Sequence, residues 1–161
     1  MIRLETPADH AAIRRVMVAA FPAPEEADLV EALRASGDLA ISLVVEVHGI
    51  VEGAVAFSPM AAPFSALGLA PVAVTPALQG QGLGGALIRA GLEMARGQGV
   101  EGVFVLGDPD YYQRFGFSVA LAGGFASPYA GAHFMALALQ GETLPVLTGR
   151  VDHAPAFGAL S

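Results

Sequence analysis

A glycine-rich turn between an apolar strand and an amphipathic helix constrains the fold of this chain more than any other feature. Four glycines fall within Gly80–Gly85, shortly after the apolar run Val72–Val74. Residues 83–96 then carry apolar side chains at helical spacing, which predicts a helix directly after the turn. The first amides of a helix lack intrahelical partners and carry partial positive charge. Because glycines have no Cβ atom to hold a ligand off the backbone, the turn predicts a binding site for phosphate or pyrophosphate.

Other interpretations of the turn can be weighed against its residues. A P-loop ends in Gly-Lys-Ser/Thr, whereas this chain has Gly84-Gly85-Ala86, which excludes that motif. The dinucleotide fingerprint GxGxxG is matched by Gly80, Gly82 and Gly85, and Asp108 follows at a plausible distance for a ribose contact. That fingerprint should follow its strand directly within a long βαβ series, and here a short segment intervenes, which argues against a nicotinamide-dependent oxidoreductase. A flexible connection without a ligand stays open as a further interpretation.

Hydrophobic periodicity and turn residues predict an α/β sandwich in one domain over residues 1–161. His48-Gly49 joins two β-rich runs and predicts a hairpin. The predicted strands are Ile2–Leu4, Ile41–Val47, Ile50–Ser58, Leu67–Val74, Val100–Leu106, His133–Leu139 and a last one around Arg150–His153. The predicted helices are Pro7–Phe21, Glu25–Ala35, 83–96 and Pro109–Phe115. On the first two helices the residues expected to face the core are Ile13, Val16, Met17, Ala20, Phe21, Leu29, Val30 and Leu33.

Two sequence elements, in order along the chain, resemble those of a known enzyme family. Gln79-x-x-Gly82-x-Gly84 after the apolar strand resembles the acetyl-CoA signature of the GNAT superfamily of N-acetyltransferases. The segment Tyr112–Phe117 is similar to the Tyr-x-x-x-Gly-Phe element of that superfamily, and Val105–Tyr112 resembles its YhbS-type branch, a group of predicted acetyltransferases. The resemblance covers most of the chain. It implies a single-domain fold with a mixed, mostly antiparallel sheet, flanked by helices and splayed at its central strands.

The resemblance also implies a binding site for acetyl-CoA. The residues expected to bind this cosubstrate are Val72, Ala73, Val74, Gln79, Gly80, Gln81, Gly82, Leu83, Gly84 and Gly85. Amides of the turn would hold the pyrophosphate, and the main chain of Val72–Val74 would pair with the pantetheine arm. An amide near Val74 would polarise the thioester carbonyl. Tyr112 would be the catalytic acid that protonates the departing thiolate, while the adjacent Tyr111 points about 100° away on a helix.

The base that deprotonates the amine is not identified by the residues. Glu46 and Glu52 flank the predicted hairpin and His133 lies on a late strand, but each is better explained as a solvated hairpin charge or a hydrogen-bonded core histidine. A base acting through water also stays open. The remaining histidines, His10, His48 and His153, lack metal-ligand spacing, so no metal is expected.

Composition narrows the possible functions. The absence of cysteine excludes disulfides, cysteine-based zinc sites and a cysteine acyl-enzyme, in agreement with direct attack on acetyl-CoA in a ternary complex. The formal net charge of −7 and the lack of basic runs argue against nucleic-acid binding, while an acidic surface suits either a cationic amine or simple solubility. No apolar run is long enough to span a bilayer, and the N-terminus lacks the layout of a signal peptide, so a cytoplasmic location is expected.

The function predicted from these residues is acetyl transfer from acetyl-CoA to an amine of a small molecule or peptide. A non-catalytic acyl-CoA-binding module is the alternative. Acceptor specificity is expected in three segments, Pro22–Ser36, Pro59–Ser65 and Ala120–Ala132. From Ser118 onward only Glu142, Arg150 and Asp152 carry formal charge, and this sparsely charged third of the chain suggests a homodimer interface.

Overall fold

The strands form where β-branched and aromatic residues are concentrated, because these side chains suit a pleated, buried surface. The computed structural model describes residues 1–159. Within that range the strands are β1 (Ile2–Leu4), β2 (Ile41–Val47), β3 (Ile50–Met60), β4 (Ala66–Val74), β5 (Gly102–Leu106), β6 (Phe125–Ala126), β7 (Phe134–Ala138) and β8 (Gly149–Arg150). The six longer predicted strands are confirmed, with some shifts of their ends, and the last residues of the expected domain 1–161 lie outside the described range.

The helices begin and end at residues suited to those positions. They are α1 (His10–Ala20), α2 (Glu25–Ser36), α3 (Leu83–Gly97), α4 (Pro109–Tyr112) and α5 (Val119–Ala122). Short 3-10 helices cover Pro7–Asp9, Pro76–Leu78, Gln113–Phe115 and Pro155–Ala159. Helix α2 ends at Gly37, whose φ of 80° lies in the left-handed region that glycine adopts readily. Helix α4 is capped by Asp108, which accepts from the backbone N–H of Asp110 at 3.0 Å.

Some boundaries differ from the predicted ones. Strand β3 runs on to Met60, beyond the expected end at Ser58, and Pro59 within it is exposed. The expected strand around residues 150–153 is reduced to β8, which pairs in parallel with β6. Neither α5 nor β6 was predicted. These elements have at most four residues each, and tertiary contacts rather than local periodicity decide whether so short a segment is ordered.

The main sheet has the strand order β1-β2-β3-β4-β5-β7. The pairs β1–β2, β2–β3 and β5–β7 are antiparallel, whereas β4–β5 is parallel, so the expected mixed and mostly antiparallel sheet is confirmed. The parallel register covers Ala66–Gly68 against Gly102–Phe104 only, and β4 continues to Val74. A register this short is in keeping with the splay implied at the central strands.

The chain divides into two compact units, and the first contains Met1–Ser58, Ala70–Gly91 and the described residues from Pro155. Its core lies between the strands and the apolar faces of α1 and α2. The buried members are Ile13, Val16, Met17, Ala27, Val30, Val44, Val51, Ala54 and Ala73, with Ala20 and Phe21 packed against them. The predicted inward faces of α1 and α2 are therefore confirmed.

The second unit contains Pro59–Leu69 and Leu92–Ala154, and its core is aromatic. Phe104 of β5 is fully buried and stacks on Phe134 with ring centroids 5.4 Å apart. The ring of Phe104 meets that of Phe125 edge-on, with centroids 5.4 Å apart, and stacks on that of Phe64, with centroids 6.2 Å apart. Such offset and edge-to-face pairs add stability beyond the area they bury.

Helix α3 approaches β3 closely at Gly91, which allows a stability prediction. A Cβ atom at Gly91 would overlap the ring of Phe57, which is fully buried and cannot swing away. We expect Gly91→Ala to destabilise the protein by about 1–3 kcal/mol. For a chain of this size each kcal/mol lowers the melting temperature by about 2–4 °C, measurable by calorimetry.

The matched control for Gly91→Ala lies on the same helix. At Gly97 nothing stands within 4 Å of a new Cβ atom, so Gly97→Ala meets no steric barrier. It should gain stability slightly, because alanine has the higher helix propensity. Equal melting temperatures for the two variants would contradict the packing described at Phe57.

Candidate functional site

The chain after β4 is fixed to the neighbouring strand before it enters the glycine turn. The backbone N–H of Thr75 donates to the carbonyl of Glu52 on β3 at 2.8 Å. The Thr75 hydroxyl donates to the Glu52 carboxylate at 3.3 Å. Pro76–Leu78 then forms one 3-10 turn. The start of the turn is therefore anchored on both its main chain and its side chain.

Gln79, the first residue expected to bind a cofactor, spans the turn with its side chain. Its Nε2 donates to the carbonyl oxygen of Val74 at 3.0 Å, which ties the turn back to the end of β4. The glutamine of the signature therefore has a structural task within the first unit. The sequence resemblance placed this residue at the site without indicating that contact.

The turn itself exposes backbone amides. Gly80 and Gly82 have φ values of 81° and 84°, which L side chains rarely adopt. A Cβ atom built at either residue would meet nothing within 4 Å, so the space beside the turn is open. The carbonyl of Gly82 accepts from Ala86 N–H at 3.0 Å, which makes Gly82 the residue that caps α3. The amides of Leu83–Gly85 are then the first of the helix and have no intrahelical acceptor.

These amides form a site suited to a negatively charged group. Helix α3 runs for 15 residues from Leu83, long enough to contribute partial positive charge at its start. The residues Gln79–Gly82 are exposed, so a ligand has access to the turn. The strand residues at the same end of β4 are less accessible, because Ala73 and Val74 are buried at 4% and 9% exposure. Their main chain, rather than their side chains, is what a ligand could use.

Tyr112 belongs to the second unit, where it ends α4. A Cβ atom at Gly107 would lie 2.5 Å from Cε2 of Tyr112, so the glycine makes room for the ring. Phe117 meets the ring edge-on with centroids 5.9 Å apart, and Tyr111 does so at 5.1 Å. Gly107 was not singled out from the sequence. A glycine shortly before the tyrosine of the Tyr-x-x-x-Gly-Phe element could have indicated a close approach of this kind.

The surroundings of Tyr112 keep its hydroxyl protonated. Burial, with a smaller contribution from Tyr111, raises the pKa of Tyr112 to about 12. Among residues 1–159 no group forms a hydrogen bond with this hydroxyl. The phenol can therefore serve as a proton donor at neutral pH.

Tyr111 has a different environment, which separates the two adjacent tyrosines. The guanidinium of Arg114 stacks over the Tyr111 ring at 4.5 Å from its centroid. Arg114 also donates from Nε to the carbonyl of Tyr111 at 2.9 Å. The rings of Tyr111 and Tyr112 are nearly perpendicular, at 89°. The ring of Tyr111 thus packs against the exposed Arg114, whereas the side chain of Tyr112 points towards the interior of the second unit.

The three candidate bases have other partners or positions. Glu46 accepts from Arg3 at 2.6 Å, in an ion pair that also includes Asp9. Glu52 accepts from Thr75, as described above. His133 is exposed, just before β7. These surroundings favour a structural or surface role, rather than a role as the base, for each of the three residues.

Within residues 1–159 no three His, Cys, Asp or Glu side chains are grouped so that they could hold a metal ion. Over the same range, every helix is too short or too polar to cross a lipid bilayer.

Comparison with known proteins identifies close relatives. A family model described as an acetyltransferase (GNAT) domain matches residues 38–119. The Escherichia coli K12 protein named uncharacterized N-acetyltransferase YhbS is 36% identical over 98% of each chain. The crystal structure of E. coli YhbS in complex with CoA has a TM-score of 0.93 at 34% identity, covering 100% of this chain and 93% of that one. A GNAT family acetyltransferase from Brucella melitensis in complex with acetyl-CoA has a TM-score of 0.83 at 43% identity, over 98% and 97% of the chains.

Proposed function

Because the chain belongs to the GNAT acetyltransferase family, we propose that the turn Gln79–Gly85 holds the pyrophosphate of acetyl-CoA and that Tyr112 is the catalytic acid. The reaction is that of an acetyl-CoA-dependent N-acetyltransferase, which transfers the acetyl group to an amine. The observation that carries the site assignment is the start of α3, where the amides of Leu83–Gly85 have no intrahelical acceptor and the preceding Gly80 and Gly82 border open space.

The turn suits a pyrophosphate for electrostatic and steric reasons. Hydrogen bonds from amides to a charged acceptor contribute about 1.5–3 kcal/mol each, more than bonds between neutral groups. The dipole of α3 adds to this attraction. Since Gly84 and Gly85 lack side chains, phosphate oxygens can approach the first amides of the helix directly. Gln79 keeps the turn in this shape through its bond to Val74.

The main chain of Val72–Val74 is proposed to pair with the amides of the pantetheine arm, as an added strand would. Successive N–H groups of a strand point to opposite edges. Because the N–H of Thr75 donates to β3, the N–H groups of Val72 and Val74 point to the other edge. The parallel register of β4 with β5 ends upstream, at Gly68, which supports the assignment.

Tyr112 is proposed to donate its proton to the thiolate that leaves during transfer. The pKa of about 12 ensures that the phenol carries this proton at neutral pH. A free thiol titrates near ~8.5, and burial raises the pKa of a thiol as it raises that of a phenol. Transfer of the proton from Tyr112 therefore occurs as the carbon–sulfur bond breaks.

Two alternatives are set aside on this basis. The literal GxGxxG match of Gly80, Gly82 and Gly85 is assigned to acetyl-CoA rather than to a nicotinamide dinucleotide, because the family consists of acetyltransferases. A purely binding module is disfavoured because the chain is similar to relatives that are named N-acetyltransferases, and this similarity extends over nearly the whole length of both chains.

The acceptor is proposed to be a small-molecule or peptide amine bound by the segments Pro22–Ser36, Pro59–Ser65 and Ala120–Ala132. The acidic residues at the start of α2 are better explained by the helix itself. Asp28 forms an ion pair with Arg14 at 3.0 Å, and negative charge in the first turn stabilises a helix. These charges are therefore not assigned to an acceptor.

The activity can be tested with the protein, acetyl-CoA and a panel of aromatic amines, polyamines, amino sugars and short peptides. Thiol release that depends on the added amine, with an acetylated product in the mass spectrum, is the expected result. Calorimetry on the same folded protein measures acetyl-CoA affinity independently. Absence of acetyl-CoA binding at high micromolar concentration would contradict the proposed function.

The bond between Gln79 and Val74 gives a moderate prediction for cosubstrate affinity. Gln79→Ala removes a hydrogen bond of about 0.5–1.5 kcal/mol that orders the turn. We expect acetyl-CoA affinity to fall by roughly 2–10-fold, with little change in melting temperature because the side chain is exposed. Calorimetric titration measures the change. Gln98→Ala is the control, since it replaces an exposed glutamine outside the turn and should leave acetyl-CoA affinity unchanged. Equal losses in both variants would contradict the bracing role of Gln79.

A further inference from the structure

A cavity of about 830 Å³ opens beside strand β7, within the second unit. Its walls come from the segment around α5, from β7 and from the loop of residues 141–147. Most of its lining is apolar, with side chains of Leu121, Leu137 and Leu147. Clefts of this size that are mostly apolar and contain a few polar groups are typical of sites for small molecules.

Strand β7 leaves main-chain groups without a partner among the described residues where this cavity opens. It is the last strand of the main sheet, and on its outer side Ala136 exchanges hydrogen bonds of 2.9 and 3.0 Å with Ser118. Because successive residues direct their N–H and C=O groups to opposite edges, the groups of Ala138 point to the same side as those of Ala136. Their partner in this antiparallel register would be Gly116, but Gly116 has a φ of 98° and donates to the carbonyl of Gln113 at 3.0 Å. The chain turns away there, so a donor and an acceptor of Ala138 remain at the cavity wall.

The wall that contains Leu147 is fixed, although its side chain is exposed. A Cβ atom at Gly124 would overlap the carbonyl oxygen of Leu147, so this glycine lets the loop pack closely on the segment after α5. Leu144, in the same loop, is buried in the aromatic core of the second unit. The side chain of Leu147 is nevertheless 57% exposed. A large apolar side chain on an anchored main chain offers a ligand a preformed contact.

Glu142 is the charged residue of the cavity lining, and its charge is not balanced. The other two formal charges from residue 118 onward, Arg150 and Asp152, are joined to each other at 2.8 and 2.9 Å. Arg96 reaches the carbonyl that follows β7, but it is paired with Glu93 at 2.9 Å. Within residues 1–159 no cation forms an ion pair with Glu142. The cavity therefore combines apolar walls with one uncompensated negative charge.

We propose that this cavity binds a small molecule that joins an ammonium group to an apolar body. The apolar body contacts the leucine side chains, the ammonium group lies beside the carboxylate of Glu142, and Ala138 offers a main-chain donor and acceptor. Charge complementarity selects this occupant over a second copy of the chain, because each copy carries a formal net charge of −7.

The inferred ligand class agrees with an amine acceptor, since α5 lies within Ala120–Ala132, a segment proposed to bind the acceptor. Binding of such a ligand involves the second unit alone and is independent of the acetyl-CoA site. Its use as the acceptor, in contrast, rests on the proposed function. The site can therefore be tested by itself, without acetyl-CoA.

Methyl NMR of leucine-labelled protein tests the site with probes of known charge. The compound 2-phenylethylamine has an ammonium group on an apolar body, 2-phenylethanol is a neutral counterpart of similar size, and 3-phenylpropionate is an anionic one. We expect the amine to shift the methyl signals of Leu121, Leu137 and Leu147 saturably. It should bind about two- to fivefold more tightly than the alcohol, as expected of one exposed ion pair, and the anion should bind most weakly.

Two variants separate the contribution of charge from that of the apolar wall. Glu142→Gln should bind the amine and the alcohol with equal affinity, whereas Glu93→Gln removes a surface glutamate elsewhere in the second unit and should keep the preference for the amine. Leu147→Ser should weaken binding of all three probes by about three- to tenfold. Leu106→Ser is its matched control, since Leu106 is also exposed, at 49%, but does not line the cavity.

Equal affinities for the amine and the alcohol in the wild type, or a preference that persists in Glu142→Gln, would overturn the inference. Saturable shifts confined to other leucines, or no shifts at millimolar concentrations of the amine, would also overturn it. So would a dimer, seen by sedimentation, that Leu147→Ser dissociates, because a second copy would then fill the cavity. Failure of the folded protein to bind acetyl-CoA would contradict the proposed function instead and leave this site standing.

Discussion

Gly84→Val is expected to weaken acetyl-CoA binding by at least about tenfold, and by as much as about a hundredfold, or roughly 1.4–2.7 kcal/mol. Gly84 lies in the first turn of α3, between two other residues whose amides are free to bind an anion. A valine side chain there would occupy the space through which the pyrophosphate approaches. The backbone conformation is helical at this position, so the substitution is not strained in the way that it would be at Gly82, where φ is 84°. Calorimetric titration measures the loss directly.

The control for Gly84→Val is Gly97→Val, at the other end of the same helix. Both substitutions add the same side chain, valine is not a poorer helix former than the glycine it replaces, and nothing stands within 4 Å of a Cβ atom at Gly97. Gly97→Val should therefore keep wild-type affinity for acetyl-CoA. If both variants bind as the wild type does, the pyrophosphate does not lie at the turn.

Tyr112→Phe is expected to lower turnover by about 10²–10⁴-fold while acetyl-CoA affinity changes little. The substitution removes the proton donor and keeps the ring that packs beside Gly107 and Phe117. The melting temperature should stay close to that of the wild type, since the hydroxyl has no hydrogen-bond partner among the described residues. Thiol release with the best amine of the panel gives the rate, and calorimetry gives the affinity.

Tyr111→Phe is the matched control, because it removes a hydroxyl from the adjacent tyrosine and retains the stacking with Arg114. Its turnover should equal that of the wild type. The pH profile supplies a second check. The pKa of Tyr112 is raised from its ordinary 10 to about 12, so its protonated form persists as pH rises and activity should not fall between pH 8 and 10 on its account. A loss of activity in that range that Tyr112→Phe eliminates would contradict the assignment.

The parts of the fold that sequence predicted best are those with strong local patterns. Strand β2, the hairpin to β3 and the inward faces of α1 and α2 follow from continuous or periodic apolar residues, which leave few other ways to bury them. The turn between β4 and α3 was equally evident, because four glycines stand between an apolar strand and an amphipathic helix. The short elements α5 and β6 were not predicted, and the predicted last strand is only partly present as β8, since β6 and β8 are held by each other across a long stretch of sequence.

In the candidate site, too, the sequence predicted features set by short motifs and not contacts between residues distant in sequence. The position of the turn and the choice of Tyr112 as the candidate acid each came from a motif of a few consecutive residues. The bond from Gln79 to Val74 and the space that Gly107 leaves for Tyr112 both depend on how the chain folds back on itself.

The central claim, that the first amides of α3 bind the pyrophosphate, is tested most directly by NMR. Backbone amide spectra of ¹⁵N-labelled protein titrated with acetyl-CoA report each residue of the turn separately. We expect the amides of Gly82–Gly85 to show some of the largest shifts, in the downfield direction that hydrogen bonding to phosphate produces, and these shifts should be absent in Gly84→Val at the same acetyl-CoA concentration. Saturable shifts confined to other parts of the chain, with the amides of Gly82–Gly85 unmoved, would contradict the claim.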